Sequence, residues 1–305
     1  MPAIPNLFIP GAAKSATTYL SSCLGRSNDI FMPGPAEMHY MASEFMRLPL
    51  SEKDPFKKYE EHIIAGFDKY TAQYENSGSE RYRLDCSPTY MMYDGTAGKI
   101  KSLSPDAFII ISLRNPVERA FSQYKMNVRM NFEKMSFEQA LEDEPERLSS
   151  GLFKAALYKE VGMYSVQVSR FIDAFGTDRI KFVLYDEIAD DPGCVISEIC
   201  SFLNIEFNPA MVDNKRKNYT GYPRFAALNR IAYSTGLRKA AKWLVRSSKA
   251  RERLGNLYIK TNDADIRMKT ETRKVLTEYF SEDIERLESA TGIDLRRWRC
   301  DVNNQ

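Results

Sequence analysis

Lys14 is the first residue that invites a chemical reading. It sits in a run of small residues, Gly11-Ala12-Ala13-Lys14-Ser15-Ala16, followed by Thr17 and Thr18. A mobile ammonium beside hydroxyls and free backbone N–H groups suits an oxyanion such as phosphate or sulfate. Arg114 and Ser122 form a second candidate anion pair a hundred residues on. Between the two pairs in sequence, Glu37 stands two residues from His39. Positions two apart in an extended chain face the same way, so this carboxylate and imidazole could act on one substrate hydroxyl as a general base. Each residue also has a plainer reading. Lys14 fits a surface lysine in an ordinary βα turn, Glu37 a solvated loop carboxylate, and His39 a packed ring.

The elements around these residues decide what they can do. Leu7-Phe8-Ile9 is a short apolar run that predicts a buried strand, closed by Pro10-Gly11, and residues 17–24 predict a helix. A strand, a tight loop and a helix N-terminus make an anion cradle. The loop is not a Walker A loop, because the lysine follows Gly11 by three residues and no glycine precedes it. Residues 107–113, AFIIISL, predict a central strand that runs straight into Arg114-Asn115-Pro116. Pro116 suits a first helical turn, so Arg114 sits at the strand's carboxyl end and Ser122 about two turns into a helix. A P-loop nucleotidase places an aspartate at such a strand end to hold magnesium. An arginine there argues for anion binding without a metal.

Elsewhere, residues 30–40 read as a loop or short extended segment, and residues 51–76 as a peripheral helical insert with His62 structural or exposed. Residues 81–85 predict a strand ending in Cys86-Ser87-Pro88-Thr89-Tyr90, at the sheet edge where ligands bind. Helices are expected over residues 94–104, 192–204 and 266–290, the last stopped by Gly292. Residues 208–224 form a basic loop. Residues 225–255 read as an amphipathic helix with a solvated cationic face, or else a membrane-surface or partner contact.

Composition narrows the class. A chain of 305 residues can build one large α/β core, and a net charge of +2 carries no nucleic-acid signature. Five cysteines without a CxxC pair and only two histidines disfavour a structural zinc site and fit reduced thiols in a cytosol. The first strand begins too near Met1 for a signal peptide, and no apolar run reaches membrane-spanning length, so a cytoplasmic and bacterial setting without membrane insertion is expected.

Two anion sites with a base between them suggest a nucleotide bearing phosphates at two positions. Here the chain resembles the sulfotransferases that use 3′-phosphoadenylyl sulfate (PAPS), of the heparan-sulfate and bacterial type. Pro10 to Thr18 resembles the 5′-phosphosulfate loop, with Ala16 where glycine is usual. Arg114-Asn115-Pro116-Val117-Glu118-Arg119-Ala120-Phe121-Ser122-Gln123-Tyr124 resembles the 3′-phosphate motif RNPxxRAxSxY. Glu37-Met38-His39-Tyr40, Asp85-Cys86-Ser87-Pro88-Thr89-Tyr90 and Gly162-Met163-Tyr164 resemble further family segments, as do residues 180–188 and the closing helix up to Trp298.

The resemblance implies a single α/β domain over residues 1–305: a central parallel sheet flanked by helices, P-loop-like, with a helical insert at 43–80 and a basic segment at 224–255. It implies PAPS as donor, adenosine 3′,5′-bisphosphate (PAP) as product, and no metal. Lys14, Ser15, Ala16, Thr17 and Thr18 would hold the 5′ side, and Arg114 and Ser122 the 3′-phosphate. Lys217, Asn218 and Tyr219 would cover the nucleotide. Glu37 would be the base, with Lys14 and His39 as its catalytic companions. Glu37, His39, Tyr40, Ser87, Tyr90 and Tyr164 would surround the acceptor, a small molecule or saccharide. Heparan-type enzymes carry lysines where this chain has Ala36 and Cys86, which favours a neutral or cationic small metabolite over a sulfated glycan. A glycan O-sulfotransferase, a P-loop kinase and a non-catalytic nucleotide-binding scaffold are the alternatives.

Overall fold

The computed structural model describes residues 3–34, 37–46, 56–212 and 267–299. Lys217, Asn218, Tyr219 and the basic segment at 224–255 lie outside the described residues. Five strands form one parallel sheet: β1 Leu7–Gly11, β2 Ile30–Phe31, β3 Tyr82–Cys86, β4 Phe108–Leu113 and β5 Ile180–Leu184, in the order β2-β3-β1-β4-β5. The chain steps outward from β1 to β2 and returns through β3. It then crosses to the other side of β1 as β4 and β5. The loop after β1 therefore opens at the topological switch point, where α/β sheets bind ligands.

Both faces of the sheet are covered. Leu7 and Ile9 of β1, with Ile110 of β4, pack against helices α1 Thr17–Leu24 and α9 Pro192–Leu203. Phe8, Ile109, Ile111 and Leu113 point the other way, toward α3 Thr96–Leu103, α4 Pro116–Arg129, α7 Tyr164–Phe175 and α10 Thr270–Thr291. The period-two alternation sorts the strands' apolar residues between two layers. Smaller helices complete the described fold: α2 Phe67–Thr71, α5 Phe137–Glu142, α6 Glu144–Ser150, α8 Tyr185–Asp190 and α11 Arg296–Arg299.

Local chemistry sets the helix starts that matter. Asn115 caps α4 by accepting from Val117 N at 2.9 Å, with Pro116 as the first helical residue. Asp283 on α10, only 1% exposed, accepts from the backbone of Tyr164 at 2.7 Å and from Ser165, and so ties the closing helix to the start of α7. Gly162 lies where an added Cβ would meet the Phe280 ring at 2.7 Å, which only glycine allows without a shift.

Two expectations change in detail. The two-residue strand β2 precedes the strand expected second; it pairs only Ile30 with Tyr82 and Phe31 with Arg83, too short a run for a periodic signal. The insert read as helical is, in its described part, mostly 3₁₀ turn: Lys57–His62 and Ala72–Tyr74 flank the five residues of α2. Its tyrosines are drawn to separate partners instead of one helical stripe. Tyr59 reaches His39, Tyr70 reaches Asp85, and Tyr74 reaches the Leu84 carbonyl.

Candidate active site

The loop between β1 and α1 is pinned to β4. Ala12 N donates to the Ser112 carbonyl at 2.6 Å, and the Ser112 hydroxyl donates to the Ser15 carbonyl. Lys14 and Ala16 take positive φ, 72° and 63°. Ala16 is the N-cap of α1 and offers no side-chain acceptor, so nothing on the side chain satisfies the first-turn N–H groups. Positive φ suits glycine best, which explains why glycine is usual there; alanine holds the same shape.

These residues border a cavity of about 380 Å³. Lys14, Ala16, Thr17, Thr18, Arg114 and Ser122 line it, and so does Glu37. The two anion pairs and the carboxylate thus meet in one space. Arg114 is braced by its bond to the Lys14 carbonyl, 3.3 Å, and by the Tyr185 ring, whose centroid lies 4.1 Å from the guanidinium carbon. Ser15 Oγ and Ser122 Oγ are buried without a hydrogen-bond partner among the described residues, as are Tyr164 Oη and two Arg119 nitrogens. Buried polar groups are normally paired. Of these, the Ser122 hydroxyl lines the cavity, where a phosphate-bearing ligand would supply its partner.

Charge follows from the same crowding. Burial, then the Arg129 and Arg114 guanidiniums, bring the Lys14 ammonium down to about 8, against the pull of Glu37. Its Nζ donates to Met126 Sδ at 3.4 Å. The Glu37 carboxyl is raised above the ordinary range, chiefly by loss of water contact, while Lys14 and Tyr59 hold it down. Its side chain remains 37% accessible through the cavity. The raised carboxyl makes Glu37 a stronger base, and an ammonium lowered to about 8 is still mostly charged at pH 7, as a charge-stabilising cation must be.

His39 lies behind Glu37. It is 1% exposed, with φ 55°, and burial holds its imidazole at about 4, so it is neutral near pH 7. Its Nδ1 bonds Thr89 Oγ1 at 2.8 Å and its Nε2 bonds Tyr59 Oη at 2.9 Å. Tyr59 Oη also lies 3.5 Å from Glu37 Oε2. The backbone of the turn is held from below. Ser87 Oγ accepts from Met38 N at 3.1 Å and His39 N at 3.2 Å, and donates to Asp85 Oδ1 at 2.6 Å. Asp85, fully buried at the end of β3, also accepts from Tyr70 at 2.6 Å and Tyr90 at 2.7 Å.

The structure therefore divides the expected site residues. Lys14, Ala16, Thr17, Thr18, Glu37, Arg114 and Ser122 face the cavity, with Ser15 buried beside them. Ser87, Tyr90 and Tyr164, expected around the acceptor, are buried at 0% exposure behind the wall, and His39 is a backing residue. Tyr40 stacks on Tyr70, with centroids 4.2 Å apart. Residue reading missed Arg129, Tyr185 and Tyr59. Arg129 had a usable signal, because it follows Ser122 by seven residues and so shares its helical face. Tyr185 begins the helix after β5, and Tyr59 reaches the site from the insert; neither has a local sequence signal.

Comparison with known proteins bears on the family and the fold. A sulfotransferase structure from Alicyclobacillus acidocaldarius superposes with a TM-score of 0.75 at 29% identity, covering 98% of this chain and all of the other. A bifunctional heparan sulfate N-deacetylase/N-sulfotransferase 1 of Caenorhabditis briggsae is 21% identical over 92% of this chain and 32% of its own length. The membrane-associated sulfotransferase kil1 of Dictyostelium discoideum is 24% identical over 52% of this chain and 31% of its own. The chain thus spans about a third of the length of these curated relatives. The sequence profile of the sulfotransferase family matches residues 5–209, and the chain belongs to that family.

Proposed function

We propose that this protein transfers a sulfuryl group from PAPS to a hydroxyl or amine of a small, neutral or cationic acceptor. The observation that carries the reading is the meeting of Lys14, Glu37, Arg114 and Ser122 in one cavity, with the Ser122 hydroxyl unpartnered among the described residues. PAPS supplies the activated sulfuryl group. Lys14 and the first-turn N–H groups of α1 receive its 5′ phosphosulfate, and Lys14 neutralises the charge that grows on the oxygen left behind. Arg114 and Ser122 take the 3′-phosphate, the feature that separates this donor from ADP-like nucleotides. Lys217, Asn218 and Tyr219 are assigned to the nucleotide's outer side by resemblance.

Glu37 accepts the acceptor's proton as the sulfuryl group replaces it, and PAP leaves with the electrons of the broken sulfur–oxygen bond. Tyr59 and neutral His39 hold the carboxylate in place. Ser87, Tyr90 and Asp85 fix the backbone beneath it, which gives these residues a supporting role and leaves direct acceptor contact to the cavity's own lining. Positioning and charge stabilisation suffice for such a transfer. A bacterial enzyme fits this reading, supported by the likeness to the Alicyclobacillus sulfotransferase over 98% of this chain. A saccharide acceptor is the second reading, favoured by the likeness to the heparan sulfate enzyme. The test is transfer from labelled PAPS across an acceptor panel. Glu37→Gln is expected to lower kcat at least about a hundredfold with PAP affinity retained; undiminished transfer by that variant would remove Glu37 from the chemistry.

A further inference from the structure

The cavity has two unlike ends. Its anion end is accounted for above. From Ser122, helix α4 carries the lining onward: Met126 lies about 6 Å further along and Met130 about 12 Å, at the rise of a regular helix. Four rings, Phe132, Phe56, Phe153 and Tyr59, line the same end, beside the neutral polar side chains of Thr89 and Gln123. Ring centroids run from Phe132 to Phe56 at 4.6 Å, on to Phe153 at 5.3 Å, to Tyr59 at 5.1 Å and to His39 at 5.1 Å. This file of rings finishes at the neighbour of Glu37.

We infer that the apolar half of the cavity binds a phenol: a neutral hydroxyl carried on a flat aromatic body. The inference rests on the sulfotransfer reading for its chemistry, though not for its binding. Aromatic rings and methionine sulfurs both favour a flat ring beyond simple burial, and methionines adapt to its outline. A phenolic oxygen already stands at the base, since Tyr59 Oη lies 3.5 Å from Glu37 Oε2. A saccharide would set many hydroxyls against carbon, where unpaired polar groups are costly. The cations among the described lining residues are Lys14, Arg114 and Arg129. The first two serve the donor, and Arg129 stands near enough to lower the charge on Lys14, which leaves no run of cations for a polyanionic chain. In the reaction the aryl O–H proton goes to Glu37 and the aryl oxygen takes the sulfuryl group, while the donor's bridging oxygen keeps the electrons of the bond it loses.

The test measures 2-naphthol and N-acetylglucosamine binding to the full chain by calorimetry, with and without saturating PAP. Met130→Lys, at a residue 42% exposed and so tolerant of change, sets a charge in the apolar wall; Phe153→Ala opens that wall. The expected result is saturable 2-naphthol binding, weakened about tenfold by Met130→Lys, with PAP affinity unchanged and no binding of the sugar. Sugar binding without naphthol binding, or naphthol binding indifferent to both variants, would overturn the inference. If PAP fails to bind while naphthol binds with the same dependence on Met130, the pocket stands and the donor reading falls.

Discussion

Replacing Lys14 by methionine should make the ligand-free protein more stable while abolishing its activity. The Lys14 ammonium is lowered from 10.5 to about 8 by burial and by the neighbouring guanidiniums. Each pH unit of such a shift is worth about 1.4 kcal/mol, so the charged form costs at most about 3.5 kcal/mol at pH 7. Water in the open cavity screens part of this, leaving an expected gain of about 2 kcal/mol. The sign depends on pH. The folded state holds the proton less tightly than the unfolded chain, so the penalty is complete below the folded value near 8. It fades as pH rises from about 8 through 10.5, above which both states are neutral. Methionine matches lysine in length, carries no charge and meets the same positive φ, so burial of the charge is the main change. Urea unfolding of both proteins at pH 7 and pH 9.5 reads the effect. The variant should lead at pH 7 by about 2 kcal/mol and by less than half of that at pH 9.5. PAP should stabilise the wild type more than the variant and narrow the gap. Equal stability at both pH values, or a lead that does not shrink, would refute the claim that Lys14 is held against its own burial to serve an anion.

Two further predictions follow from the same site. The pH profile of kcat/KM should be a bell: it rises as Glu37 loses its proton at a pH above the ordinary carboxylate range, and falls through about 8 as Lys14 loses its own. A rate flat to pH 10 would assign Lys14 no charged role in the free enzyme. Asp85→Asn should leave PAP affinity intact yet lower kcat about tenfold or more, because one oxygen that accepts from Ser87 or from the two tyrosines becomes a donor and the turn bearing Glu37 loosens. An unchanged kcat with normal folding would detach that network from the base.

The parts of the site legible in the sequence are those in which one local element does everything. The strand–loop–helix around Lys14 and the strand-to-helix step at Arg114, with Asn115 and Pro116 as start signals, need only neighbours in sequence. Their meeting is set by β1 and β4 pairing side by side. What was hidden depends on distant elements. Asp85 is a buried carboxylate, and a buried carboxylate needs donors; Ser87, Tyr70 and Tyr90 supply them and so turn away from the cavity. A motif records that Ser87 and Tyr90 belong together but not which way they face. Phe56 and Tyr59 come from the insert and Phe153 from the stretch after α6, brought beside α4 only by folding. Arg129 and Met126 were visible as a helical face with Ser122, yet nothing local says that this face borders a cavity.

The most direct test of the central claim is calorimetric titration with PAP, with ADP as control and no magnesium present. Tight binding of the bisphosphate and weak binding of ADP are expected, with the bisphosphate's advantage lost in Arg114→Ala, if Arg114 and Ser122 hold the 3′-phosphate as proposed. ADP binding as tight as that of the bisphosphate, or binding that requires magnesium, would contradict it and point to a nucleotide site of the kinase type.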